Sequence, residues 1–230
     1  TEFNTARDGL AEAGTSTANI IFGGRTPPST EVALTENWDG TAWTEVNDLG
    51  TARRALPGIG TSTAAISAGG QVPANTAISE EWSFPSSPIL TEGSIFLSGG
   101  TTLKGFGRAA GIPAGTWASG ASMNNARGRA GFATGAIPGH VALVYGGTGG
   151  NANVEQYDGS SWTEKNNLST GRSGSGGGTL TSAITAGGEV PGSPANSALT
   201  ETWDGTNWSS ASNLNTARRE LCGFGTSSTS

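Results

Sequence analysis

The sequence predicts an all-β chain of repeated four-stranded antiparallel blades, a β-propeller, and three observations predict it. The segment Trp38-Asp-Gly-Thr-Ala-Trp43-Thr-Glu returns as Tyr157-Asp-Gly-Ser-Ser-Trp162-Thr-Glu and as Trp203-Asp-Gly-Thr-Asn-Trp208-Ser-Ser. A Gly-Gly pair recurs through the chain, at Gly23-Gly24, Gly69-Gly70, Gly146-Gly147 and Gly187-Gly188. An arginine marks each boundary at a near-constant interval: 46 residues from Arg7 to Arg53, 45 from Arg127 to Arg172, and 46 from Arg172 to Arg218. Repeats of this length assembled from short β segments point to propeller blades.

Within one copy the elements follow in order. Arg54-Ala-Leu-Pro-Gly-Ile-Gly reads as an inner strand a, Thr61 to Gly70 as strand b, and Ala77 to Trp82, after a polar loop containing Pro73, as strand c. Asp39-Gly40 stands between two aromatic residues of strand type, and Asp-Gly in that setting is a strong hairpin signal, joining c to an outer strand d that starts at Trp43. Leu49 to Arg53 then leads to the next inner strand. No window carries an i, i+3, i+4, i+7 apolar stripe, so helices are expected to be few and short.

Two departures stand out. The second copy lacks Asp-Gly after Trp82, and Arg53 is separated from Arg127 by 74 residues, which implies an insertion over roughly 83–115 in a propeller domain spanning 1–230. Pro85-Ser-Ser-Pro88 breaks the pattern, Gly93 to Phe106 reads as an extra hairpin about a Ser-Gly-Gly turn, and Thr116-Trp117 resumes strand d. At the other end Arg219 to Thr226 begins a fifth, orphan inner strand. At least four blades are therefore recognisable, and the expectation is either a fragment of a longer polypeptide or completion of the orphan strand by the extra hairpin or another chain.

The ordered markers (Gly-Gly, aromatic-Asp-Gly, Trp, Leu, Thr-Ala-Arg) resemble the kelch repeat, a four-stranded propeller blade, over nearly the whole chain. The resemblance implies that Trp38, Trp43, Tyr157, Trp162, Trp203 and Trp208 pack between adjacent blades. Together with the inserted hairpin, the Trp-Asp-Gly-Thr repeats are similar to kelch-like repeat proteins of tailed bacteriophages, where they occur in virion and tail-associated proteins. That similarity implies a virion structural protein in the tail or another exposed appendage. Its expected partners are other virion proteins and a host surface receptor or glycan, met by several copies per particle. A carbohydrate-binding propeller lectin is the alternative.

Composition narrows the functions further. A formal charge of −6 and a pI near 4.8 disfavour binding to phosphate backbones and to anionic membranes. The longest apolar runs, such as His140 to Tyr145, are too short to cross a bilayer, so no membrane insertion is expected. Thirty-eight glycines suggest turn chemistry rather than disorder, because seven tryptophans return at regular places. The lone cysteine, Cys222, has no internal disulfide partner and reads as a small apolar residue.

Candidate chemistry is sparse. Asp39, Asp158 and Asp204 resemble the Asp-box of sialidase propellers but lack its spacing, so turn formation is the expected role. Arg7, Arg53, Arg127, Arg172 and Arg218 recur around the ring and are read either as an anion site at one mouth or as donors to loop carbonyls or a neighbouring Glu. Glu36, Glu45, Glu81, Glu164 and Glu201 are read as a solvated or Arg-paired face. His140 is the single histidine, and a copper site of the galactose oxidase type finds Tyr145, Tyr157, His140 and Cys222 in the wrong numbers. Gly174-Ser-Gly-Gly-Gly178 has no following Lys or helix and is no phosphate loop. A paired-carboxylate glycosidase stays open on the available Asp and Glu. No catalytic, cofactor or metal-binding residues are assigned and no enzyme activity is expected. The loops 25–31, 71–76, 148–153 and 189–197, which differ in length between copies, are the expected contact surface.

Overall fold

The computed structural model describes residues 2–84, 95–98, 102–105, 115–134, 141–174, 176–192 and 196–221. Four antiparallel four-stranded blades follow one another as a β-propeller, and the described residues contain no helix. From the centre outward, blade 1 is built of a (Ala11–Thr15), b (Ala18–Phe22), c (Thr35–Trp38) and d (Trp43–Val46). Blade 2 has a (Gly58–Thr61), b (Ala64–Ala68), c (Ser79–Ser83) and d (Thr116–Ser119). Blade 3 has a (Gly131–Thr134), b (Ala142–Tyr145), c (Val154–Tyr157) and d (Trp162–Lys165), and blade 4 has a (Gly176–Thr179), b (Ser182–Ala186), c (Thr200–Trp203) and d (Trp208–Ala211).

The inner strands of successive blades lie side by side, and those of blades 3 and 4 share a parallel bridge at Thr134 and Thr179. The insertion falls between strands c and d of blade 2, where Ile95–Ser98 pairs antiparallel with Thr102–Gly105; the turn between them lies outside the described residues. His140, Cys222 and most of the orphan inner strand also lie outside them, and Arg219 to Leu221 form no strand.

Each c–d hairpin sets two aromatic rings directly opposite one another: Trp38 and Trp43, Trp82 and Trp117, Tyr157 and Trp162, Trp203 and Trp208. Cross-strand aromatic pairs at such sites are the unit of sheet stabilisation. The turn that closes three of these hairpins is fixed by its aspartate. Asp39 accepts the N–H of Thr41 and of Ala42, Asp158 those of Ser160 and Ser161, and Asp204 those of Thr206 and Asn207, all at 2.7 to 2.8 Å. Turn formation is thus the role of these acids.

The strand d tryptophan then packs against strand b of the preceding blade. Trp117 meets Phe22 edge to face at 4.7 Å, and Trp208 meets Tyr145 at 4.8 Å. Trp162 joins Ile66 and Ala68 in the core between blades 2 and 3. Trp162 and Trp208 are buried to 7% and 9% exposure, as expected for aromatics that pack between adjacent blades. Trp43 departs from that expectation and is only half-buried, because no strand b of a preceding blade covers it among the described residues.

Candidate binding site at the mouth of the propeller

The recurring arginines are clamps between blades. Arg7, Arg53, Arg127 and Arg172 are buried and pair with Glu36, Glu80, Glu155 and Glu201, each 27 to 29 residues downstream on strand c of the following blade. Their backbones serve the blade before. The carbonyls of Arg53, Arg127, Arg172 and Arg218 accept the N–H of Gly24, Gly70, Gly147 and Gly188 at 2.8 to 2.9 Å. This contact explains the first glycine of each pair: at Gly23, with φ at +65°, a Cβ would stand 2.7 Å from the Arg53 carbonyl oxygen. Left-handed backbone and close approach together require glycine there.

An anion site built from these five arginines is therefore ruled out for the first four, whose guanidinium groups are spent on buried carboxylates. Burial pushes Arg7, Arg53 and Arg127 below the ordinary arginine value despite the paired acid. Two acids that the sequence reading passed over carry the clamp in blades 2 and 3. Glu81 is not the clamp partner in blade 2 but accepts the Tyr157 hydroxyl, while Glu80 and Glu155 take the clamp. Glu45 and Glu164 are exposed on strand d.

Beyond the clamp, the chain builds the rim of one mouth. The residue after the clamp meets the residue after the Gly-Gly pair: Asp8 with Arg25, Arg54 with Gln71, and Ser173 with Glu189 in isolated bridges, and the Thr148 N–H with the Gly128 carbonyl at 2.9 Å. One position further, Gly9, Ala55 and Arg129 take the left-handed conformation, with φ of 62°, 50° and 51°. A belt of hydrogen bonds holds them there. Ala55 N–H donates to the Gly9 carbonyl at 2.8 Å, Arg129 N–H to Ala55 at 3.0 Å, and Gly174 N–H to Arg129 at 3.2 Å, each crossing from one blade to the next. Non-glycine residues persist in this region only where surrounding contacts over-determine them, at a cost on the order of 1–3 kcal/mol each.

The rim encloses a cavity of about 610 Å³ lined with charge. Arg25 grips Asp8 with Nε at 3.2 Å and Nη2 at 3.0 Å, and Arg54 Nε lies 3.1 Å from Glu31. Arg129 is held more loosely: its side chain is 43% exposed, with Nη1 3.7 Å from Glu189 and 3.8 Å from Glu220. Of the four expected contact loops, 25–31 and 189–197 lend Arg25 and Glu189 to this cavity, whereas 71–76 and 148–153 border it through the backbone pairs just given. The lining can donate and accept hydrogen bonds to a polar ligand, with Arg129 as the guanidinium most open to exchange of partners. Among the described residues no group of three His, Cys, Asp or Glu side chains could hold a metal ion.

The tyrosines are structural here. Tyr145 donates to the carbonyl of Phe132 at 3.0 Å and lies 3.2 Å from that of Ile184 across the blade interface, and burial raises its pKa. Gly176 to Gly178 lie in strand a of blade 4.

Acid is expected to loosen the fold. Burial would raise Glu201, but the hydroxyl and N–H of Ser169 and the Arg172 guanidinium outweigh it and hold the carboxyl below its usual value. Asp158 is drawn down to about 2, first by the Ser161 N–H and then by Ser160. A carboxylate whose pKa is lowered by folding stabilises the fold above its unfolded value, and that stabilisation is lost as pH falls through the folded value. Melting temperature should hold level down to about pH 5 and fall below it, given unfolded carboxylate values near 4. A level profile down to pH 2 would contradict the assignment.

No family model matches the chain, and no curated protein matches it. Among solved structures, the one titled "Structure of YjhT" superposes with a TM-score of 0.62, covering 95% of this chain and 74% of that one at 14% identity. That likeness concerns the fold alone. It is one of 153 solved chains that match, and a fold this widely shared carries no activity by itself.

Proposed function

We propose that this chain is a non-catalytic scaffold of kelch-type blades in a tailed-bacteriophage particle, set in the tail or another exposed appendage and presenting its rim loops to a host surface or to neighbouring virion subunits. The observation that carries the reading is the contrast between clamp and loop. Arg–Glu pairs, Gly–Arg hydrogen bonds and c–d hairpins repeat from blade to blade, while the segments they carry at the mouth differ in length and charge. Loops on a rigid repeat can change without loss of the core, which suits a surface that must follow a changing receptor. The kelch reading rests on the ordered markers around each Gly-Gly pair, and the phage reading on the Trp-Asp-Gly-Thr repeats and the hairpin inserted in blade 2. Several copies per particle would supply binding strength through avidity.

Mass spectrometry of purified particles and antibody labelling of intact virions test this, with the protein expected in the particle and its mouth accessible. Absence from the particle would remove the proposal. Binding to a glycan array that free sugar competes away would assign the rim a carbohydrate receptor.

A further inference from the structure

The charged groups around the mouth are not equally closed. Arg25 holds Asp8 through two hydrogen bonds, at 3.2 and 3.0 Å, and Arg54 holds Glu31 through one, at 3.1 Å. Arg129 has no such bond to a described carboxylate. Its Nη1 stands 3.7 Å from Glu189 and 3.8 Å from Glu220, and Arg219 Nη1 stands 3.6 Å from the same Glu189 oxygen. Each of these gaps exceeds hydrogen-bonding distance. Glu189 is thus shared between two guanidinium groups and hydrogen-bonded to neither.

The backbone at Arg129 is strained as well. Gly9 takes the equivalent left-handed position on blade 1 at no steric cost, whereas Arg129 holds it with a long side chain that lines the cavity. Backbone strain that the surrounding contacts enforce is characteristic of sites that bind or react.

The cavity limits what can enter. About 610 Å³ suits a small molecule. No aromatic ring stands among the described residues that line it, so nothing offers a stacking surface to an apolar ligand face. Its charged lining sets Arg25, Arg54 and Arg129 against Asp8, Glu189 and Glu220, in equal number. A simple anion on Arg129 would leave Glu189 and Glu220 facing it without compensation.

We infer that the mouth binds a small zwitterion, a molecule that carries both a carboxylate and an ammonium group. The ligand carboxylate takes the planar fork of Arg129 in two parallel hydrogen bonds, and the ammonium meets the Glu189 carboxylate that Arg129 then releases. The charge balance of the cavity is kept throughout. Such a site is separate from the scaffold role: it depends on the cavity alone, so presence in the virion or absence from it leaves the site untouched.

Isothermal titration calorimetry with glycine, β-alanine and γ-aminobutyrate tests this, with acetate and methylammonium as single-charge controls. At least one zwitterion should bind about tenfold or more tighter than either control. Arg129→Gln should weaken that binding by about tenfold or more. Glu189→Gln should weaken it too, yet leave acetate unchanged or tighter, which distinguishes a paired-charge site from an anion site. Arg129→Gly should abolish binding without lowering the melting temperature, because glycine accepts the left-handed backbone. Binding of none of the three zwitterions, acetate bound as tightly as they are, or an Arg129→Gln variant that binds like the parent would overturn the inference.

Discussion

Replacing Glu155 by Ala is expected to destabilise the protein by about 3–5 kcal/mol, because it leaves a buried guanidinium without its counter-charge. Arg127 and Glu155 are both fully buried, and Glu155 also accepts the N–H of Asn124 at 2.7 Å and of Asn125 at 3.1 Å. Water cannot replace these partners without opening the interface between blades 2 and 3. The loss comes from the orphaned charge and not from the pair's net worth, since removing a buried ion pair whole is often close to neutral. Arg127→Met combined with Glu155→Leu should therefore recover most of the stability that Glu155→Ala loses. Urea unfolding at constant m-value reads both effects. A Glu155→Ala loss under 1 kcal/mol would show that the clamp is dispensable.

Trp162→Ala should cost a similar amount, about 3–5 kcal/mol, by a different route. The indole is buried between blades 2 and 3, stacks on Tyr157 at 5.0 Å and donates from Nε1 to the Ala121 carbonyl at 2.8 Å. Truncation leaves a cavity that the paired strands on either side cannot collapse into, and it removes one of the two donors to the Ala121 carbonyl, leaving the Ser79 hydroxyl. Trp43→Ala, at the half-buried counterpart, should cost clearly less. Equal losses from the two variants would mean that the tryptophans act within their own hairpins rather than across the blade interface.

These two experiments separate what the sequence made legible from what it did not. The c–d hairpins were readable because Asp39, Asp158 and Asp204 carry local turn chemistry that depends on the next three residues alone. The blade boundaries were readable from the arginines, but their partners were not, because the acid lies on a different blade. In blade 2 two consecutive acids, Glu80 and Glu81, point to opposite faces of strand c, and choosing Glu81 puts the carboxylate on the wrong side. A constant signal was present: Glu36, Glu80, Glu155 and Glu201 each stand two residues before the strand c aromatic. The mouth was the least legible part. Arg25, Arg129 and Glu189 stand at positions that repeat from blade to blade but carry a different residue type each time, and only the curvature of the propeller brings them to one cavity.

The clamp also bears on how the chain folds. Each buried Arg–Glu pair closes a loop of 27 to 29 residues. Every interface can therefore form as soon as its downstream strand c is available, with loop-closure entropy no larger for blade 4 than for blade 1. Such an array nucleates at any interface and propagates to its neighbours, and its stability is a sum of nearest-neighbour terms. Blade 2 breaks the regularity, since its outer strand returns only at Thr116, after the insertion. On a ribosome, which emits blade 1 before blade 2, Phe22 waits for Trp117 long after Arg53 has found Glu80. Blade 2 is therefore the step at which synthesis outruns assembly and the core of blade 1 stays open longest.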